Sequence, residues 1–234
     1  MYTTITIDGT SGAGKSSIAK TLSSCYRIPC LNSGAMFRMI AYTATSHFPT
    51  KHYTELSIEH IIDIIQSARF TLLYEDDMST LLCNDTPLPR EIYTEGIAEI
   101  TSHIASYSEV RKHMRVIQRS LASNTHLIAE GRDMGTVVFP HASVKIFLTA
   151  ELEERAKRRF EELQRECPDI TYSQVIRQLM ERDKKDTVRT QSPLKPAQDA
   201  LLLDTTNRSV HDVLHVIQEY IKRKEPRLRE EDTR

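Results

Sequence analysis

The sequence has few of the features that mark secreted, membrane-bound or metal-binding proteins. Its four cysteines, Cys25, Cys30, Cys83 and Cys167, are far apart and form no CxxC pair and no His/Cys metal spacing. No apolar run approaches the length of a membrane span. A predicted strand begins within a few residues of Met1, so we expect no signal peptide. These absences predict a soluble protein of the reducing cytoplasm.

A strong excess of charge of one sign is also absent. The chain has 31 Lys and Arg against 32 Asp and Glu, for a formal net charge of −1. Its overall field therefore attracts neither nucleic acid nor a membrane surface, and we expect neither as a partner. Any anion site must be local. A length of 234 residues suits one α/β domain with an insertion, or two small domains.

The most specific pattern lies at residues 9–17, with the sequence GTSGAGKSS. It matches the phosphate-binding pattern GxxxxGK(S/T), between an apolar run at 4–8 and a predicted helix at 16–25. Glycines allow successive backbone N–H groups to turn inward around a polyphosphate. We expect Lys15 to reach the β- and γ-phosphates and Ser16 to ligate Mg²⁺. The alternative interpretation is an ordinary glycine-rich turn between strand and helix.

Short apolar runs recur along the chain and predict a parallel sheet. They lie at 4–8, 28–31, 127–130, 144–148 and 201–204, each with turn signals nearby. Such runs suit strands that are buried on both faces, with helices between them. The phosphate loop then lies at the carboxyl end of a strand, where ligand sites of open parallel sheets are found.

Residues 57–105 interrupt this regular order. Isoleucines at 58, 61, 62 and 65 have helical spacing and predict a helix over 57–67. Residues 69–74 and 80–83 predict two antiparallel strands around a turn at 75–79, and residues 84–89 a loop. Further helices are expected over 94–105, 108–122 and 151–167. We therefore predict a core at 1–56 and 106–222, an insertion at 57–105 and a charged tail at 223–234.

Three groups of arginines follow elements that can direct them toward the ligand edge of the sheet. Phosphoryl transfer needs positioning and cations around the moving group rather than covalent chemistry from the protein. The first is Arg38, after a helix cap at Ser33 that can itself hold an anion. The second is Arg132, beside Asp133, and the third spans residues 182–189. The alternative interpretation is surface ion pairing, which contributes little to stability.

Several strings together resemble bacterial cytidylate kinases, in the same order and over nearly the whole chain. They are GTSGAGKSS at 9–17, LNSGA at 31–35, EGRDMGTVVFP at 130–140, VKIFL at 144–148 and ERD at 181–183, with Asp186, Arg189 and PLxPA at 193–197. The run at 131–140 is the most specific. Shikimate, adenylate and thymidylate kinases share the phosphate loop but not this run.

The resemblance implies a fold and an activity. The fold is an α/β, P-loop NTPase-like five-stranded parallel sheet with flanking helices, an inserted monophosphate-binding segment and a short lid at about 155–190. The activity is transfer of the γ-phosphoryl group of ATP to CMP or dCMP, with Mg²⁺. We expect these small molecules to be the partners of a monomeric enzyme.

The resemblance also implies roles for individual residues. The ATP site comprises Gly9, Thr10, Ser11, Gly12, Ala13, Gly14, Lys15, Ser16, Ser17 and Arg158, with Ser16 on the metal. The acceptor site comprises Ser33, Arg38, Ser102, Arg111, Arg132, Asp133, Arg182, Asp186 and Arg189. Among these, Ser33, Arg38 and Arg132 are expected to hold the monophosphate, while Ser102, Arg111 and Asp133 read cytosine. Asp186 is expected to bind the sugar hydroxyls. The catalytic cations are Lys15, Arg132, Arg182 and Arg189.

The chain departs from the family pattern at four positions. Asn32 and Glu130 stand where aspartates are usual, and each keeps an oxygen acceptor. Tyr93 stands where an arginine is common, and Glu99 lies in a segment that is usually Asn-Ala-Ala-like. Two other functions stay open. One is a different small-molecule or nucleoside monophosphate kinase, and the other is a nucleotide-dependent switch, which would need guanine selectivity although no Asn-Lys-x-Asp element is present.

Overall fold

The computed structural model describes residues 2–47, 56–164, 168–189 and 191–228. The strands are β1 (Thr4–Gly9), β2 (Cys30–Asn32), β3 (Phe70–Glu75), β4 (Met78–Cys83), β5 (Thr86–Pro87), β6 (Leu127–Gly131), β7 (Val144–Thr149) and β8 (Leu201–Asp204). The helices are α1 (Lys15–Tyr26), α2 (Ser33–His47), α3 (Ile58–Ser67), α4 (Glu95–Ile104), α5 (Ser108–Leu121), α6 (Leu152–Leu163), α7 (Tyr172–Val188) and α8 (Val210–Lys224). A 3₁₀ turn covers Arg90–Tyr93, and a π-helical turn covers Met134–Val138.

The central sheet has five parallel strands in the order β2-β6-β1-β7-β8, as the apolar runs predict. Because all five strands run the same way, their carboxyl ends meet at one edge. Asp8 pairs with Gly131 of β6, and Gly9 pairs with Leu148 of β7. The phosphate loop therefore leaves the sheet between the ends of two neighbouring strands.

Two apolar clusters cover the two faces of this sheet. Alternate residues of a strand point to opposite faces, so Leu127 and Ala129 join one cluster and Ile128 joins the other. Helices α1 and α8 cover the Ile128 face, and α2 and α5 cover the opposite face. The prediction that every strand of this sheet is buried on both faces is wrong for β8. This strand lies at the edge of the sheet, and its Leu202 is 62% exposed.

The segment predicted as an insertion contains helices and antiparallel strands, and it shares the cluster of α2 and α5. Its hairpin turns at Asp76 and Asp77, whose φ angles of 51° and 57° make a tight turn inside the predicted 75–79. The predicted loop at 84–89 is partly wrong, because β5 pairs there as a third strand. Ser79 Oγ accepts from the Cys30 backbone N–H at 2.8 Å, which docks the hairpin onto β2.

Most predicted boundaries agree with the structure to within two residues. The β2 strand begins at Cys30 instead of residue 28. Helix α6 ends at Leu163, short of the predicted 167, and residues 165–167 lie outside the described residues. The predicted charged tail begins inside α8, and residues 229–234 also lie outside the described residues.

A separate small cluster joins α6 to α7. In the described ranges, no helix has the length and apolarity to cross a membrane.

Candidate active site

The segment between β1 and α1 forms a tight loop at the carboxyl edge of the sheet. Gly9, Gly12 and Gly14 have φ angles of 148°, 78° and 86°, a region that residues with a side chain disfavour. A Cβ on Gly9 would lie 2.0 Å from the Leu148 carbonyl oxygen, and one on Gly12 would lie 3.0 Å from Arg155 Cβ. Only glycine at these positions lets the loop pass so close to β7 and α6.

Lys15 begins α1, and its side chain folds back over this loop. Its Nζ donates to the Thr10 carbonyl oxygen at 2.6 Å, and the residue is buried. Burial, and then the positive charge of Arg132, hold the pKa of Lys15 well below its usual value. The hydroxyl of Thr10 is buried without a hydrogen-bond partner. A buried cation and an unpaired hydroxyl are polar groups that a polyphosphate would satisfy.

Glu130 of β6 faces the beginning of α1. Ser16 Oγ donates to Glu130 Oε2 at 2.9 Å. Burial raises the pKa of Glu130, although Lys15 and the hydrogen bond from Ser16 oppose the shift. A hydroxyl oxygen and a carboxylate oxygen are ligands that Mg²⁺ accepts, so the donor set fits this ion. The described part of the chain contains no group of three His, Cys, Asp or Glu side chains that could hold a metal instead.

Asp186, near the end of α7, brings two predicted catalytic arginines together. Arg132 Nε donates to its Oδ2 at 2.8 Å, and Arg189 Nη2 lies 2.8 Å from its Oδ1. Burial raises the pKa of Asp186, but the charges of Arg132 and Arg189 outweigh it and leave this pKa below its usual value. Arg132 Nη1 also donates to the Gly9 carbonyl oxygen at 3.0 Å. The sugar contact implied for Asp186 would have to share oxygens that already bind arginines.

Arg182 lies one turn before Asp186 on α7. Desolvation, and then the charge of Arg132, lower the pKa of Arg182, and the charges of Arg38 and Arg159 act in the same direction. Positive side chains from α2, α6, α7 and the segment after β6 therefore share one region. Such a field attracts anionic groups such as phosphates.

The predicted monophosphate residues of α2 lie in its first two turns. Asn32 Oδ1 accepts a backbone N–H of the first turn at 2.8 Å, so Asn32 caps the helix. Ser33 is buried, and its hydroxyl accepts from Gln118 Nε2 at 3.0 Å. Arg38 is half-buried, and its Nη1 donates to the Ile92 carbonyl oxygen at 2.7 Å.

Two of the three predicted base-reading residues form a buried ion pair. Arg111 Nη2 donates to Asp133 Oδ2 at 2.6 Å, with side chains only 8% and 5% exposed. Arg111 Nη1 donates to the Ala105 carbonyl oxygen at 3.2 Å, and the guanidinium lies 5.5 Å from the centre of the Phe37 ring. The Nε of Arg111 is buried with no hydrogen-bond partner.

Ser102, the third predicted base-reading residue, lies on α4 and lines a different part of the site. It borders a cavity of about 230 Å³ between α4 and α7, lined also by Glu99, His103, Ser106 and Lys185. Among the described residues, no hydrogen bond joins Ser102 to Arg111 or Asp133. The structure therefore brings Arg111 and Asp133 into contact, whereas Ser102 lines the cavity between α4 and α7.

Arg158 is linked to the phosphate loop through one residue. Its guanidinium pairs with Glu154 and donates to Thr205 Oγ1 at 3.0 Å and to the Thr205 carbonyl oxygen at 2.7 Å. Thr205 Oγ1 in turn donates to the Ala13 carbonyl oxygen at 3.3 Å. The arrangement places Arg158 beside the loop that follows β8.

Asp8 was not among the predicted site residues, although it ends the strand before the phosphate loop. Its two carboxylate oxygens accept the backbone N–H groups of Met134 and Gly135 at 2.9 and 2.7 Å. Burial raises the pKa of Asp8 to about 6, against these two hydrogen bonds. Asp8 therefore fixes the segment that carries Arg132 and Asp133 against the phosphate loop. An acidic residue at the end of a buried strand was the available signal.

Arg155 of α6 is a second residue of this region that was not among the predicted site residues. It is buried, and it donates to the Ser11 carbonyl oxygen at 3.2 Å and to Asp183 Oδ2 at 2.5 Å. Arg158, by contrast, forms an ion pair with Glu154 one turn earlier on the same helix. Only the tertiary position of α6 over the phosphate loop distinguishes these arginines.

The chain is similar to known proteins both in sequence and in fold. A family profile described as cytidylate kinase matches residues 5–223. A cytidylate kinase from Maridesulfovibrio salexigens is 40% identical, over 89% of this chain and 92% of its own. Cytidylate kinase 1 from Haemophilus influenzae is 39% identical, over 94% and 93%. A solved structure of an uncharacterized protein from Eubacterium ventriosum matches with a TM-score of 0.53 at 12% identity, covering 94% of this chain and 98% of that chain, and supports the fold alone.

Proposed function

The chain belongs to the cytidylate kinase family, and we propose that its site transfers the γ-phosphoryl group of ATP to CMP or dCMP. The observation that carries this proposal is the adjacency of two sites at one sheet edge. Arg132 contacts the phosphate loop, and the next residue, Asp133, forms the buried pair with Arg111. A phosphate site directly beside a base site suits an acceptor nucleotide whose phosphate meets that of the donor.

On the donor side, residues 9–17 bind the phosphates of ATP through backbone N–H groups and Lys15. The buried, unpaired hydroxyl of Thr10 supports this assignment. Ser16 and Glu130 would hold Mg²⁺, which would supply positive charge beside the phosphates of ATP. Arg158, which lies beside the loop after β8, binds ATP from that side.

In the transfer step, a phosphate oxygen of the acceptor attacks the γ-phosphorus of ATP in line with the leaving oxygen. The bond to the β,γ-bridging oxygen breaks, and ADP leaves. The acceptor phosphate is already ionised near neutral pH, so no protein base is needed. Lys15, Arg132, Arg182 and Arg189 stabilise the charge that spreads over the transferred group.

On the acceptor side, Ser33, Arg38 and Arg132 bind the monophosphate, and Asp186 holds the arginines and the sugar. Asp133 accepts from the exocyclic amine of cytosine while it keeps its pair with Arg111, because a carboxylate has about four acceptor sites. Arg111 donates to the ring acceptors, and Ser102 contacts the base from the cavity side. With uracil, a carbonyl oxygen would face Asp133, and two hydrogen-bond acceptors would then lie opposite each other. Such a mismatch can lower the specificity for UMP by a factor of up to about 10⁴ to 10⁵.

We further propose a division of labour along the chain. The insertion at 57–105 binds the acceptor nucleotide together with α2, and the region of about 155–190 closes over the phosphates as a lid. Closure excludes water and so prevents hydrolysis of ATP. The cytoplasmic location, the monomeric state and the lack of nucleic-acid or membrane partners stay predictions from the sequence.

The experiment that tests this function is the initial rate of ADP formation with Mg·ATP, alone and with CMP, dCMP, UMP, AMP or shikimate. We expect strong stimulation by CMP or dCMP, with UMP well behind. Stimulation by another acceptor would indicate a different kinase of the same fold. Multiple turnovers without any acceptor would favour the switch, a function that neither the family match nor the relatives support.

A further inference from the structure

Arg38 differs in its partners from three of the other arginines of the acceptor site. Arg111, Arg132 and Arg189 each pair with a carboxylate. Among the described residues, no carboxylate pairs with Arg38. Its guanidinium is held instead by the Ile92 carbonyl oxygen, 2.7 Å from Nη1, and by the ring of Tyr93, whose centre lies 5.7 Å from Cζ.

The 3₁₀ turn that supplies both partners is itself firmly anchored. Ile92 is fully buried, and the turn packs against α2 and α4. Tyr93 follows directly and is 52% exposed, so one side of its ring faces Arg38 while the residue stays open to a ligand. Burial raises the pKa of the Tyr93 phenol, so the ring is neutral at physiological pH. A neutral partner leaves the positive charge of Arg38 uncompensated.

We propose that Tyr93 is a positioning residue for the acceptor: its ring holds the Arg38 guanidinium so that the remaining N–H groups point at the nucleotide monophosphate. Arginine has a long, flexible side chain, and ordering it on binding costs conformational entropy. A cation over an aromatic face is held without being neutralised. Arg38 is thereby ordered before the acceptor arrives, and it keeps its full charge for the phosphate. This inference rests on the assignment of Arg38 to the acceptor phosphate.

The test is steady-state kinetics of Tyr93→Ala, Tyr93→Phe and Tyr93→Leu with Mg·ATP and CMP. We expect Ala and Leu to raise the KM for CMP about two- to fivefold, the range for a cation–π contact at an exposed site, with the KM for ATP unchanged. Phe should stay within about twofold of the wild type, because it keeps the ring. Tyr2→Ala is the matched control, since Tyr2 is 53% exposed and lies at the start of the described chain.

A double-mutant cycle with Arg38→Ala tests whether Tyr93 acts through Arg38. In the Arg38→Ala background, Tyr93→Ala should cause no further rise in the KM for CMP. Equal effects in both backgrounds, a wild-type KM for Tyr93→Ala, or a Phe variant that behaves like Ala would overturn the inference. So would a Leu variant that behaves like the wild type. If Arg38→Ala itself leaves the KM for CMP unchanged, the assignment of Arg38 in the proposed function fails instead.

Discussion

At the scale of single residues, Lys15 shows most directly how a buried positive charge can favour the binding of an anion. Its Nζ binds the carbonyl oxygen of its own loop, in surroundings that lower its pKa. Phosphate oxygens would replace that contact and favour the charged form. The position is therefore costly without ATP and favourable with it.

Lys15→Ala should lower kcat by on the order of 10² or more, because the lysine lies where charge develops in the transition state. The KM for CMP should change less, since the acceptor contacts other residues. Rapid-mixing or steady-state assays of ADP formation give both constants. Near-wild-type turnover would contradict the assignment of the loop. Lys157→Ala, on the exposed side of α6, is a control with the same loss of charge.

Asp133→Ala should raise the KM for CMP far more than the KM for ATP, because Asp133 is assigned to cytosine and not to the donor. The change also leaves Arg111 buried without its ion pair, which destabilises a protein by about 3–5 kcal/mol. Asp133→Asn keeps the shape of the side chain, so it distinguishes the effect of the lost negative charge from the effect of unfolding. If Asp133→Asn raised the KM for CMP and the KM for ATP equally, the assignment of Asp133 to the base site would be wrong.

The sequence singled out residues that stand in a local motif, and it assigned no role to two carboxylates that act through distant contacts. Lys15 and Ser16 belong to a fixed spacing, and Arg132 belongs to a specific string. Glu130 belongs to the same string as Arg132, but its contact with Ser16 spans 114 positions, and the contacts of Asp8 span 126 and 127 positions. No local pattern encodes such a distance, so only the fold reveals which carboxylate meets which loop.

At the scale of elements, the phosphate loop and α6 are fitted closely together. Gly12→Ala should lower the free energy of unfolding by about 1–2 kcal/mol, because the residue has a φ of 78° and its Cβ would press on Arg155. Urea unfolding measures this change. Gly96→Ala is the control: nothing lies within 4 Å of its Cβ, and alanine should stabilise α4 by up to about 1 kcal/mol. Similar effects at both positions would contradict the close fit.

The link from β1 to the segment after β6 should make stability depend on pH. The pKa of Asp8 is raised by burial from 3.8 to about 6, so the folded state binds a proton that the unfolded state has lost between these values. Stability from this group is therefore full below about pH 4 and is lost as pH rises through about 6, by up to about 3 kcal/mol.

Asp8→Asn removes this titration, and urea unfolding of both proteins from pH 4 to pH 7 measures its effect. The free energy of unfolding of the wild type, relative to the variant, should fall across that window. A difference that stays constant with pH would show that Asp8 does not titrate there. Asp85→Asn, at an exposed position, serves as the control.

Long, periodic elements were predictable, whereas short ones were not. Helices α3, α4 and α5 follow from the spacing of apolar residues. The strand β5 has two residues, and the 3₁₀ turn Arg90–Tyr93 has four, too few to show any period. The strand β5 is exposed and forms by antiparallel pairing with β4, whereas the 3₁₀ turn packs against α2 and α4. The 3₁₀ turn nevertheless supplies the partners of Arg38, so part of the site depends on an element without a sequence signal.

At the scale of the whole molecule, the insertion completes one of the two main clusters. Ile61, Ile65 and Ile104 from the insertion are fully or almost fully buried with Met36 and Met114 of the core. Replacing residues 57–105 by a short Gly-Ser linker should leave a large apolar face exposed and abolish cooperative unfolding. Circular dichroism during urea titration measures the outcome. A shortened chain that unfolds cooperatively at the wild-type midpoint would show that the insertion is an independent unit.

The proposed function requires that the whole molecule bring two nucleotides together and keep water away from the γ-phosphate. The measurement that tests this account most directly is ³¹P NMR of the purified protein with Mg·ATP and CMP. We predict that ADP and CDP appear in equal amounts and that no inorganic phosphate accumulates. Release of inorganic phosphate without CDP would show hydrolysis in place of transfer and would contradict the account.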